Sequence, residues 1–298
     1  ADYIFHVLTC VGLKVEGEDA KIGEGSVGKD VAERVVIKLG GGLLTDKSSL
    51  CTAKCEVIAE IAIAIAELVR RGIFVIIVHG AGSFGHLKAK SWQLHLGRND
   101  EISGGMELKS QDEAISSVRR DMDELNEILV AELSRNGVAS TIHPPREWVV
   151  GSGVGFKGDV SRFATSRCGQ VPITFGDVVT CDPPVDFGIL SGDDLVYRIG
   201  TEVPGVSRII FAMGDVDGIM SGLPEDDTSL LLNSWRPGEA LIGEHHSNID
   251  VTGGIFLKSE RASQAAANGI EVMMIKGLRE RIIAAGSGED CVGTKIFA

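Results

Sequence analysis

Positive charge, paired cysteines and long apolar runs are all in short supply in this chain. Its 29 lysines and arginines face 42 aspartates and glutamates, a formal net charge of −13. A nucleic-acid surface or an anionic membrane is therefore not expected as a partner, and an anionic ligand must find its positive field in a few local lysines. The six cysteines (Cys10, Cys51, Cys55, Cys168, Cys181, Cys291) contain no Cys-x-x-Cys pair, which signals neither a zinc site nor a disulfide framework and fits a reducing, cytoplasmic compartment. Cys51 and Cys55, four apart at the start of a predicted helix, read as packing residues. The apolar windows fall short of the roughly 18 to 20 residues of a membrane span. Asp2 stands where a signal peptide carries its basic region, so neither a span nor an export signal is expected. No short internal repeat is present.

What is there is the make-up of an α/β enzyme of one large or two small domains: 298 residues, 44% hydrophobic, 24% charged, with 38 glycines for tight turns. The organising stretch is Val75-Ile76-Ile77-Val78-His79-Gly80-Ala81-Gly82-Ser83-Phe84-Gly85-His86. Four consecutive aliphatics predict a strand buried on both faces, and the small residues after it let a backbone approach a ligand. Open α/β sheets bind ligands beyond the carboxyl ends of such strands. The loop lacks a Gly-Lys-Ser/Thr ending and the full dinucleotide spacing, so it is neither fingerprint. Its N–H groups can still cradle a phosphate, with His86 as a side-chain donor one turn on.

Residues 1–33 are turn-rich and weakly apolar after a short apolar run, which suggests an added strand or flap on a linker. The regular pattern begins with a strand at Val35–Leu39 that ends in Gly40-Gly41-Gly42, with Lys38 inside it. A lysine there either snorkels to solvent or meets an anion or carboxylate. Helical spacing follows over Ala53–Arg71 and, after Ser103-Gly104-Gly105, over Ser110–Arg135. Strand, helix, strand implies a parallel sheet. The second half restarts with two short strands bent at Gly176-Asp177. Next come Asp193-Asp194 at a helix start, a strand at Arg208–Met213 ending in Gly214-Asp215, a Gly-rich turn with Lys258 just before a helix over Ser259–Asn268, and a last strand at Ile270–Ile275. The two adjacent acids serve either the helix dipole or the lysines.

Lysines, glycine-rich turns and carboxylates recurring at strand ends are what phosphoryl transfer needs, because charge spreads over the transferred oxygens and catalysis is chiefly positioning and electrostatics. The segments Lys38–Gly42 with Thr45-Asp46-Lys47, His79–His86, Gly176-Asp177-Val178, Leu190–Asp194, Asp215–Gly218, Asp250–Ile255 with Lys258, and Gly293-Thr294 stand in one order from Val35 to Phe297. In these segments the chain resembles the amino acid kinase superfamily, and the Ser-Phe-Gly-His after the glycines is similar to its isopentenyl phosphate kinase branch and to the related fosfomycin kinases.

The resemblance implies an open αβα sandwich with a mainly parallel central sheet. It implies a phosphate-acceptor half over residues 34–175, an ATP half over 176–298, and a homodimer. It assigns Lys38 and Lys258 to ATP phosphates and Lys47 to the transition state. Gly40, Gly41, Gly42 and Gly82 would lie against the transferring phosphates, and Asp193 would hold the lysines. Asp215 and Gly254 would seat the nucleotide, while Ala81, His86 and Gly192 would surround the acceptor phosphate. Magnesium is expected to travel with ATP, with no metal ligand set in the protein. The implied reaction converts isopentenyl phosphate to its diphosphate. The alternatives are a kinase of another small phosphate or phosphonate, or a silent nucleotide sensor or storage subunit. Leu87, Val118 and Met122 are the expected apolar wall, while Trp92 reads first as core packing and second as part of that wall. Three positions depart from the family pattern: Gly42 stands for Ser, Ala81 for Gly, and Met213-Gly214 for a Thr-containing pair. A methyl at 81 requires φ to stay negative.

Overall fold

The structure is a computed structural model that describes residues 33–46, 48–165, 167–222, 228–239 and 254–298. The expected N-terminal flap, Lys47 and the segment Asp250 to Gly253 lie outside these residues. In chain order the elements are β1 (Arg34–Leu39), α1 (Gly41–Leu44), α2 (Cys55–Arg70), β2 (Phe74–His79), α3 (His86–Ser91), α4 (Gln111–Arg135), β3 (Ala139–Ile142), β4 (Gln170–Phe175), β5 (Asp177–Thr180), β6 (Phe187–Leu190), α5 (Gly192–Glu202), β7 (Val206–Met213), β8 (Ser234–Trp235), α6 (Gly254–Ala267), β9 (Glu271–Lys276), α7 (Arg279–Ser287) and β10 (Thr294–Ile296).

Eight strands join in the order β3-β4-β2-β1-β7-β9-β10-β8. Every pairing is parallel except β9 with β10. The central strands have apolar middles because both faces are covered, and the pleat sends alternate residues to opposite sides. Val35 and Ile37 of β1, Val75 and Ile77 of β2 and Ile210 of β7 join one core with α2, α4 and α7. Val36, Ile76, Val78, Ile209 and Phe211 join the other with α5 and α6. This is the αβα sandwich that the sequence suggests.

Chain order and space agree in one respect: β1 to β4 fill one side of the sheet and β7 to β10 the other, meeting where β1 pairs with β7. The two middle strands carry their glycine turns to the same edge. Helix α4 is set by a Ser110 N-cap whose side chain accepts from Glu113 N–H, and its apolar row Val118, Met122, Leu125, Leu129 packs on the sheet. Strands β5 and β6 leave the main sheet and form a separate antiparallel ribbon. The sequence pattern assigns no element to Phe187–Leu190. It is a strand because Val178 lies directly opposite Ile189 in the ribbon.

Candidate active site

The turns after β1 and β2 touch backbone to backbone. A Cβ on Gly41 would stand 2.3 Å from Gly82 N, and one on Gly80 2.7 Å from Gly41 N. Gly82 has φ +51°, and a Cβ there would meet Thr45 Oγ1 at 2.0 Å. The buried Thr45 hydroxyl fastens the two turns, accepting from Ser83 N–H at 2.9 Å and donating to Gly41 carbonyl at 2.9 Å. Lys54 donates to Gly42 carbonyl at 2.9 Å. These glycines are thus required by the close approach of two loops, whatever binds above them.

Lys38, Gly40, Gly41, Gly42, Ala81, Gly82, His86, Gly192, Asp193, Asp215, Gly254 and Lys258 all line one cavity of about 370 Å³. At one end Asp193, on the first turn of α5, receives Lys38 at 2.7 Å and Lys258 at 3.1 Å. Lys258 is the fifth residue of α6, inside the helix and not before it as the sequence suggests, because α6 already starts at Gly254. Burial alone would raise the Asp193 carboxyl, but Lys258 and Lys38 override it and hold it down at about 2. Burial, reinforced by the neighbouring Lys38 charge, lowers Lys258 to about 8 against the pull of Asp193. Asp194 faces away to Arg261 at 2.7 Å. Each of the two adjacent acids therefore ties α5 to α6 through its own partner.

The other end of the cavity is apolar, lined by Ala89, Val118, Met122, Val178 and Ile189. His86 and Ala89, three apart on α3, face it together, while Leu87, a third of a turn away, is not in the lining. Trp92 is fully buried in the core and its Nε1 donates to Gly105 carbonyl at 3.3 Å. The expected wall therefore keeps Val118 and Met122 and loses Leu87, Trp92 takes its core reading, and Val178, Ile189, Ala89 and Asp177 join the lining. A short strand through Val178 was legible in the sequence; its pairing with Ile189 across a ribbon was not.

The two histidines of the organising stretch part company. His79 is buried at the end of β2, 4.9 Å from the Phe175 ring, and burial takes it to about 4, so it is a neutral core residue. The departures at 81 and 214 also have local causes. Ala81 keeps φ at −79°, where a methyl is at ease. A Cβ on Gly214 would stand 2.7 Å from Gly42 carbonyl, so the third strand end is packed on the first loop. Gly192 differs: a Cβ would meet only ordinary contacts, the nearest at 3.5 Å.

The model of the amino acid kinase family matches residues 33–276. The isopentenyl phosphate kinase of Thermoplasma acidophilum is 30% identical over 268 residues, 88% of this chain and 99% of that protein. The enzyme of the same name from Methanothermobacter thermautotrophicus is 29% identical over 88% of this chain and 98% of its own. A crystal structure of an isopentenyl phosphate kinase superposes with a TM-score of 0.71 at 26% identity, covering 89% of this chain and all of the other. An isopentenyl phosphate kinase substrate complex gives 0.68 at 27% identity, over 89% of this chain and 99% of that one. With the family model running from the strand that carries Lys38 to the end of β9, and with the whole length of these enzymes matched, the chain belongs to the amino acid kinase family.

Proposed function

We propose that this chain transfers the γ-phosphoryl group of ATP to isopentenyl phosphate, giving isopentenyl diphosphate and ADP. The observation that carries the reading is a single cavity charged at one end and apolar at the other, which suits a phosphate bearing a small branched tail. An acceptor phosphate oxygen attacks the γ-phosphorus in line as the bond to the β-phosphate oxygen breaks. No general base is needed, because the acceptor's second pKa is about 6. The protein's work is positioning and charge neutralisation. Lys38 and Lys258, anchored on Asp193, offer two ammonium groups to the phosphates, and the N–H groups of the glycine turns supply further donors. His86 orients the acceptor phosphate. Gly192 lines the cavity on the side assigned to that phosphate.

The same reading gives Lys47 a transition-state role and Gly254 and Asp215 the nucleotide, with the acceptor over 34–175 and ATP over 176–298. The ribbon of Asp177–Leu190 modifies that division, since Val178 and Ile189 share the apolar end with α4. Among the described residues no group of three or more His, Cys, Asp or Glu could hold a metal, and Asp193 is engaged by two lysines. A magnesium ion carried on the nucleotide would supply neutralisation of phosphate charge. A homodimer completes the proposal on the resemblance alone, and a cytoplasmic setting on the scattered cysteines.

The test is a coupled ADP-release assay over small phosphates and phosphonates. Isopentenyl phosphate should have the highest kcat/KM, by at least about tenfold over fosfomycin, a margin that a few methylene contacts provide. Equal or better turnover of fosfomycin would overturn the choice of acceptor. Inactivity toward both would favour a nucleotide sensor.

A further inference from the structure

The β5–β6 ribbon forms one side of the apolar end, yet it stands outside the main sheet. A two-stranded ribbon is marginal alone, so something else must set its distance from α4. Two arginines do. Arg119 of α4 donates from Nε at 3.1 Å and from Nη2 at 2.7 Å to the carbonyl of Val178, whose side chain lines the cavity. Arg146, in the turn Pro145–Glu147, spans from Asp123 of α4 (2.7 and 3.0 Å) to the fully buried Asp177 (3.3 Å). Asp177 also accepts from the backbone N–H of Arg146 at 3.3 Å and of Val178 at 2.8 Å. On α4 the row Val118, Met122 faces the cavity and the adjacent row Arg119, Asp123 holds the ribbon. Helix, strut and ribbon therefore enclose the chamber in a fixed frame.

We infer that Arg119 and Arg146 are positioning residues that set the width of the acceptor chamber, and with it the length of tail the enzyme accepts. This rests on the function proposed above. The guanidinium fork matters: two N–H groups meet one carbonyl in a plane, which a lysine ammonium cannot reproduce. Neither arginine lines the cavity, so both act through Val178 and Asp177. A loosened ribbon would let Val178 and Ile189 move away from Val118 and Met122. The five-carbon tail would then lose contacts, while a ten-carbon tail would gain room.

The experiment compares wild type, Arg119→Lys, Arg119→Gln, Arg146→Ala and Asp123→Asn with isopentenyl phosphate and a ten-carbon prenyl monophosphate, measuring KM for ATP in parallel. In the arginine truncations, KM for isopentenyl phosphate should rise about tenfold. The ten-carbon to five-carbon ratio of kcat/KM should also rise about tenfold, with KM for ATP unchanged within about twofold. Arg119→Lys and Asp123→Asn should shift the ratio in the same direction by less. Asp123 is 44% exposed, so its variant keeps the test alive if a truncation fails to fold. An unmoved ratio in Asp123→Asn and Arg119→Lys would overturn the inference, as would a KM for ATP that rises in step with that for the acceptor. Wild type inert toward both monophosphates would sink the function reading instead, so the two failures are distinct.

Discussion

The two ends of the cavity are built on different physical terms. At the charged end, one buried carboxylate holds two lysines from different elements, β1 and α6, at 2.7 and 3.1 Å. Removing Asp193 strands two buried ammonium groups without a counter-charge, whereas removing either lysine leaves the carboxylate paired with the other. At the apolar end, five side chains from four elements contribute contact area, and each loss is graded by the methylenes removed. The charged end should therefore fail abruptly when altered, and the apolar end in small steps.

The largest expected effect is Asp193→Asn. It leaves Lys38 and Lys258 facing each other without a counter-charge and should cost about 3 to 5 kcal/mol of stability, read from denaturant unfolding. A loss below about 1 kcal/mol would mean that solvent already screens the lysines. Next, Lys258→Met or Lys38→Met should lower kcat about a hundredfold or more, since each ammonium meets charge that grows in the transition state. An effect confined to acceptor KM would mean that the lysines belong to the other end.

Titration sharpens the same contrast. The Asp193 carboxyl lies near 2 when folded against an ordinary 3.8. Folding is therefore favoured above about pH 4, and that share, about 2 kcal/mol, is lost as pH falls from 4 toward 2. Asp193→Asn should flatten this acid limb; a persistent limb would place its cause elsewhere. The smallest effect is expected at the apolar end. Ile189→Val removes one methylene at about 0.8 kcal/mol, so KM for isopentenyl phosphate should rise about fourfold with kcat held. A hundredfold change there would erase the distinction between the two ends.

How much was legible depended on whether a residue's role is local. Lys38 sits in a strand too apolar for it beside three glycines, so its sequence context alone asked for a partner. Asp193 was a named candidate, but the adjacent Asp194 was indistinguishable from it until α6 brought Lys258 and Arg261 into place. The glycines at 41 and 82 were assigned to a ligand, whereas a missing Cβ at either is already demanded by the other loop and by Thr45. Lys258 was placed before a helix because glycines precede it, and α6 starts earlier. Leu87 and Trp92 follow His86 closely in sequence, but helical rotation carries Leu87 out of the lining and the core takes the indole.

By itself the sequence determined the layered α/β class, the buried parallel strands and the charged side chains of the site, because periodicity and the cost of burying a lysine act over a few residues. Only the tertiary structure decided which glycines are demanded by the close approach of another loop. It alone made His79 a neutral core residue and set Val178 beside Ile189 across from Val118. Those roles depend on contacts between residues tens to more than a hundred positions apart, and no local pattern encodes such a distance.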